Sequence, residues 1–274
     1  MNDKTLCVAI STIGDLSSEL LEKLEGYTSR LNSGIDFLVI SQKARRNHFL
    51  DINPRLRIIF STDIGLSKSR NLAINESKCS WIWFQDDDID LNIPSVNRLY
   101  FELTKFDPDF CCLKIASSED HSKPFKNYSF LNWSTPLKAM KISSIELVVR
   151  KCLIQGERYN FDPNLGLGTS LPSCEENLFF YNFLLKGNGK INQHKFDEYV
   201  AYHTTDLDVR NLDHTQRVKA RGFFLSKIKF IHAFPLLLYW SLRKERKGIT
   251  NRLKRSKALL EGYRQGLDKE STRL

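Results

Sequence analysis

Short apolar runs alternate with helix-periodic stretches through the first half of this 274-residue chain, and that alternation constrains the fold more than any other feature. Residues 6–11, 36–41, 56–61 and 81–85 read as four strands. Between the first two, Leu16, Leu20, Leu21, Leu24, Tyr27 and Leu31 recur at helical spacing behind Asp15 and Ser17, either of which can cap a helix. Residues 67–77, just after Gly65, read as a second helix, 96–104 as a third, and 110–115 as a fifth strand. Strands joined through helices run parallel, so the expected class is α/β, a mixed but mainly parallel sheet with helices on both faces.

The second half is less regular. Residues 116–129 are polar and carry Pro124 and several lysines, the composition of a mobile surface loop. Residues 141–150 read as a strand running into a helix, 175–186 as a helix closed by the turn Gly187-Asn188-Gly189, and 199–203 as a last short strand. With 41% hydrophobic and 27% charged residues the chain is globular in composition, long enough for one large domain or two small ones. Its six cysteines form no Cys-x-x-Cys pair and are expected as reduced thiols. The apolar run near the start, 6–10, is too short for an export signal, which leads to the expectation of a cytoplasmic protein.

Charge divides the chain. Residues 1–216 hold 25 basic and 28 acidic side chains, about −3, whereas 217–274 hold 16 and 4, about +12. The expected organisation is a catalytic body, 1–216, and a basic, apolar-rich helical tail, 217–274. In the tail, 223–242 is rich in Phe, Leu, Ile, Trp and Tyr, yet Lys227, Lys229, His232 and Pro235 interrupt it, which argues against a spanning helix. Residues 243–257 place eight cations around Glu245, with Leu253 beside them and Leu259 and Leu260 just after, as in an interfacial amphipathic helix. Three readings follow: docking on an anionic membrane surface, packing of the tail on the body, or nucleic-acid binding; the first is the expectation and the last is set aside.

Asp86, Asp87 and Asp88 follow the apolar run Trp81-Ile82-Trp83-Phe84-Gln85, so one strand delivers three carboxylates at its carboxyl end, where open α/β sheets bind ligands. Such a cluster repels itself unless a cation joins it, and Mg²⁺ and Mn²⁺ favour carboxylate and phosphate oxygens. A solvated acidic turn is the plainer alternative. Upstream, Gly65-Leu66-Ser67-Lys68-Ser69-Arg70-Asn71 opens a helix and offers Lys68 and Arg70 to a nucleotide phosphate or base.

Together these runs resemble family 2 glycosyltransferases of the GT-A fold, the Rossmann-like class that uses nucleotide-diphospho-sugars, of the kind that builds bacterial surface polysaccharides. The resemblance assigns Asp86 and Asp88 to the metal and donor and Asp87 to ribose or sugar. A second stretch, Phe161-Asp162-Pro163-Asn164-Leu165-Gly166-Leu167-Gly168 followed by Cys174-Glu175-Glu176-Asn177, is similar to the family's Phe-Asp, Gly-x-Gly, Gly-Glu-Asp series. That places the catalytic base at Glu176, with Glu175 as the other candidate. Glutamate for the usual aspartate and Cys174 for glycine are departures. The resemblance further implies His203 at the metal or diphosphate, and Ser11 and Thr12 at base and ribose. The acid that the family carries after its second strand is replaced by Ser41-Gln42, leaving Asp63 as a substitute. Lys219 and Arg221, expected in a loop, would close over the diphosphate. Trp133 would stack on an acceptor sugar or fill the core.

The expected activity is therefore inverting, Mn²⁺- or Mg²⁺-dependent transfer from a nucleoside-diphosphate sugar, a UDP-sugar first, to a hydroxyl of a lipid-linked glycan. The work would be done peripherally on the inner face of the plasma membrane. A nucleotidyltransferase, or a noncatalytic adaptor using the basic tail, is the alternative.

Overall fold

The computed structural model describes residues 4–88, 90–128, 136–156, 160–186, 191–203, 214–242 and 252–271. The strands are β1 (Leu6–Ile13), β2 (Ile35–Gln42), β3 (His48–Asn53), β4 (Leu56–Phe60), β5 (Trp81–Asp86), β6 (Asp90–Leu91), β7 (Phe110–Ser117), β8 (Leu147–Arg150) and β9 (Gln193–His203). Among the described residues they form one sheet in the order β3-β4-β2-β1-β5-β8-β7-β9-β6. The four strands foreseen first, β4, β2, β1 and β5, run parallel; helices make the crossovers from β1 to β2 and from β4 to β5, and the strand β3 makes the one from β2 to β4. Beyond β5 the sheet turns mixed, because β8 enters antiparallel between β5 and β7.

The helices are α1 (Ser18–Arg30), α2 (Leu66–Glu76), α3 (Ile93–Phe106), α4 (Glu175–Lys186), α5 (His214–Lys227), α6 (Phe230–Leu242) and α7 (Arg252–Ser271). Of the two candidate caps on α1, Ser17 is the one used: its Oγ accepts from the Leu20 amide at 3.1 Å. The strand period of two sorts the core into two layers. Leu6, Val8 and Ile10 of β1 with Trp81 and Trp83 of β5 face α1 and α3. Cys7, Ala9, Ile82 and Phe84 face the other way, toward α4 and α5.

Several segments depart from expectation. Residues 141–150 reverse the predicted order, a 3₁₀ turn (Ser144–Glu146) preceding β8, since Leu147-Val148-Val149 fills the gap between β5 and β7. The hairpin strand β3 has no apolar alternation of its own and forms by pairing with β4. The polar stretch is fastened rather than free over its described part. Buried Glu146 accepts from Tyr128 at 2.9 Å and pairs with Lys126 at 2.5 Å, while the Phe125 amide donates to Ile115. A buried carboxylate needs such partners, and here it finds them in the loop. The Gly187-Gly189 turn lies outside the described residues.

The charge break at residue 217 falls inside α5, whose Val218, Phe223, Phe224 and Leu225 are buried in the same core as Leu178, Phe179 and Phe180 of α4. Helices α5 and α7 then touch backbone to backbone: a Cβ added at Gly222 would lie 2.0 Å from the Leu259 carbonyl oxygen. Part of the tail thus packs on the body. Among the described residues no helix is long and apolar enough to cross a membrane.

Candidate active site

Parallel pairing sets Ser11 beside Asp86 at the carboxyl ends of β1 and β5, and from there Asp87 and Asp88 continue into a turn. The far end of β9 returns His203 to the same place, its Nε2 3.6 Å from Asp88 Oδ1. One ligand atom each from Asp86, Asp88 and His203 lie within 4.8 Å of one another. Two carboxylate oxygens and an imidazole are a donor set that fits a divalent cation. Burial pushes the Asp86 carboxyl above its ordinary range against the Arg70 guanidinium, which pulls it down, while Asp88 adds to the rise.

Arg70, from the first half of α2, is buried and ties the site together. It reaches Glu175 Oε1 at 3.2 Å, donates to Ser144 Oγ at 2.6 Å and lies 3.6 Å from Asp86 Oδ1. The next residue, Asn71, clasps the Phe161 backbone by two bonds of 2.8 Å, so the Arg-Asn pair ties Asp86, Glu175 and the Phe161 loop to α2. The loop before α4 is pressed onto the start of α2: the Leu66 amide donates to the Leu167 carbonyl, and a Cβ at Gly168 would sit 3.1 Å from Gly65 Cα. Only glycine allows that approach, and Gly168 also has φ +84.

Glu175 and Glu176 begin α4, where the helix dipole favours acids. Cys174, before them, takes φ +73, a conformation that explains why glycine is usual there and costs a side chain roughly 1–2 kcal/mol. Its thiol is buried and pushed up to about 12. Glu175 is committed to Arg70, whereas the Glu176 carboxyl is pushed well up, by burial first and then by the Glu175 charge. Both open onto a cavity of about 290 Å³ whose wall also includes Asp86, His203, Arg70, Phe125 and Arg217.

Toward β2 and β4 the other predicted residues gather around the strand ends. Thr12 donates to Asp87 Oδ2, Ser69 donates to Ser11 at 2.7 Å, and Lys68 pairs with Asp63 at 3.1 Å. The Gln42 side chain, standing where an acid was expected, accepts from the Gly65 amide at 2.7 Å. Lys219 and Arg221 lie in α5 rather than in a loop. Lys219 pairs with Glu261 of α7, and Arg221 sits 5.8 Å from the Trp240 ring, because α5 turns those two positions toward its helical neighbours. The α5 cation on the cavity wall is Arg217. Trp133 lies outside the described residues. Ser144, Phe125 and Arg217 escaped the sequence reading; only the Ser-x-x-Glu spacing of Ser143 and Glu146, a capping box, marked the first of them.

Comparison with known proteins bears on the fold and on the stretch that carries Arg70 and the three aspartates. The profile of the family described as Glycosyl transferase family 2 matches residues 41–157. No curated protein sequence matches the chain. Among solved structures, S. aureus TarS 1-349 superposes with a TM-score of 0.57 at 12% identity, covering 96% of this chain and 72% of that one. TarS 1-349 in complex with UDP-GlcNAc gives a TM-score of 0.62 at 14% identity over 88% of this chain and 74% of that one. Against the longer S. aureus TarS structure the TM-score is 0.60 at 14% identity, with 88% of this chain covering 44% of that one. At such identities the likeness is one of fold.

Proposed function

We propose that the protein is a family 2 glycosyltransferase of GT-A fold, as the family match over residues 41–157 and the fold likeness support, and that it transfers a sugar, with inversion, from a nucleoside-diphosphate sugar to a hydroxyl of a lipid-linked glycan in surface-polysaccharide assembly. The observation that carries this reading is a single cavity walled by the strand-end Asp86, by His203 and by the helix-start pair Glu175 and Glu176. Donor-side and acceptor-side chemistry therefore share one space, as direct displacement needs.

Asp86, Asp88 and His203 are the ligands offered to a divalent cation, Mn²⁺ or Mg²⁺, whose chemistry is to offset charge on a departing diphosphate. Glu176 takes the proton of the acceptor hydroxyl, a poor nucleophile until that proton leaves. Glu175 is unsuited to that role, since its Oε1 is held by Arg70; it positions Arg70, which in turn keeps Asp86 in place. Arg217 supplies further positive charge at the cavity wall. Ser11, Thr12, Asp63, Lys68 and Asp87 form the nucleotide side. TarS has been crystallised with UDP-GlcNAc and with UDP, so UDP-sugars are the first donors to try. The lipid-linked acceptor would be met at the inner face of the plasma membrane through the C-terminal helices.

Calorimetry with a panel of nucleotide sugars, in Mn²⁺ and in chelator, tests the reading on wild type and Asp88→Ala. Metal-dependent binding of one nucleotide sugar that Asp88→Ala abolishes is the expected result. A folded protein that binds none of them, with or without a glycan acceptor, would overturn it.

A further inference from the structure

Helix α6 carries no charged residue, and its outward positions form a stripe at helical spacing: Phe230, Ile231, Phe234, Leu238, Tyr239 and Leu242. All six are exposed, Phe230 and Ile231 by 73% and 74% of their surface. The inward positions, Ala233 and Trp240, are buried against the α4 and α5 side of the core. An exposed apolar stripe of this length on the outward face of a helix marks an interaction surface.

Charge decides what covers it. Residues 214–244 contain no acid at all, and Lys227 and Lys229 precede the stripe while Arg243, Lys244, Arg246 and Lys247 follow it in sequence. A second copy would bring a tail of the same sign, about +12 against about +12, whereas an anionic bilayer attracts both the cations and the apolar stripe. Pro235 settles the depth. It lacks the amide that would bond the Ile231 carbonyl, so that carbonyl needs water or headgroups near it. Thirteen residues of helix reach only about 20 Å, short of a bilayer core of about 30 Å.

We propose that the outward face of α6 is a membrane-insertion surface, lying in the plane of an anionic bilayer with its apolar stripe in the acyl boundary. This rests on the membrane-side reading of the acceptor for its purpose, and on the α6 surface for its evidence. The other tail helices are anchored from the inside, α5 in the core and α7 along α5, so the body is held rigidly above the surface.

The test uses the full chain with vesicles of phosphatidylcholine and phosphatidylglycerol, and with phosphatidylcholine alone. Wild type is expected to sediment with the anionic vesicles, salt-sensitively. The triple variant Phe230→Ser, Phe234→Ser, Leu238→Ser should bind them at least about tenfold more weakly. A single variant, Phe234→Trp, should show a blue-shifted emission on vesicle addition. Thermal melting and nucleotide-sugar calorimetry on the triple variant, expected unchanged, report on fold and on the donor site separately. Vesicle binding equal to wild type in the triple variant would overturn the proposal. So would a wild-type dimer in ultracentrifugation that the triple variant dissociates. Loss of nucleotide-sugar binding in wild type would sink the transferase reading alone and leave the vesicle result standing.

Discussion

The two faces of the sheet are built from the same strands yet carry different burdens. Toward α1 and α3 the interior is mainly apolar, with Leu24, Tyr27, Val96, Leu99 and Leu103 on Trp81, Trp83 and Val8 and neutral polar groups such as Gln85, Thr28 and Ser95 buried among them. Toward α2, α4 and α5 the packing surrounds buried ions: Arg70 and Glu175 sit beside Phe161, Leu165 and Phe179. Buried ions cost desolvation unless paired, so the second face gives up stability for a fixed arrangement of charge, while the first supplies the stability that lets it stand. The Arg70 Nε and the Glu175 and Glu176 Oε2 atoms are buried without a hydrogen-bond partner, as in a site shaped for a ligand and not for its own rest.

The sharpest break in that comparison is Glu176→Gln. It should lower kcat by about 10²- to 10⁴-fold, the usual weight of a general base, with nucleotide-sugar affinity kept, as calorimetry beside a turnover assay would show. Next, Arg70→Ala strands Glu175 and Asp86 and should cost about 3–5 kcal/mol in denaturant unfolding together with nearly all activity. On the other face Leu99→Ala should cost about 2–5 kcal/mol as well, but leave activity per folded molecule near wild type; equal loss of activity would mean that the two faces are coupled.

A pH profile sharpens the contrast further. In the role proposed for it Glu176 works ionised, and burial and the Glu175 charge raise it, so kcat/KM should climb with pH through a value above the ordinary carboxylate range. In Glu175→Gln the like charge is gone, and that limb should move to lower pH. The smallest effect is expected at Ser17→Ala, about 1 kcal/mol of stability from a lost cap and no change in activity.

Much of this was legible in the chain. The strand Trp81-Ile82-Trp83-Phe84 and the acids that end it are adjacent in sequence, and so are Glu175, Glu176 and the helix they open, because a strand end and a helix start are local events. What escaped was non-local. Ser144 and Phe125 belong to irregular segments whose path is set by buried Glu146 and by β8 entering the sheet, neither of which leaves a periodic mark. Lys219 and Arg221 were read from charge alone, and a helix decides by its rotation which of its cations face a cavity: Arg217 does.

By itself the sequence determined the strand-helix alternation of the first half apart from the hairpin strand β3, the parallel half of the sheet, the two acidic segments and the uneven charge of the two ends, since these follow from hydrogen-bonding period, helix capping and composition. Tertiary structure alone decided that Arg70 would bridge Asp86 and Glu175 across 16 and 105 residues of chain, that His203 would meet Asp88, and that the apolar tail would hide one face of α6 and show the other. Those are distances between chain segments remote in sequence. They are fixed by which surfaces must leave water together, a property of the whole packed body and of no stretch within it.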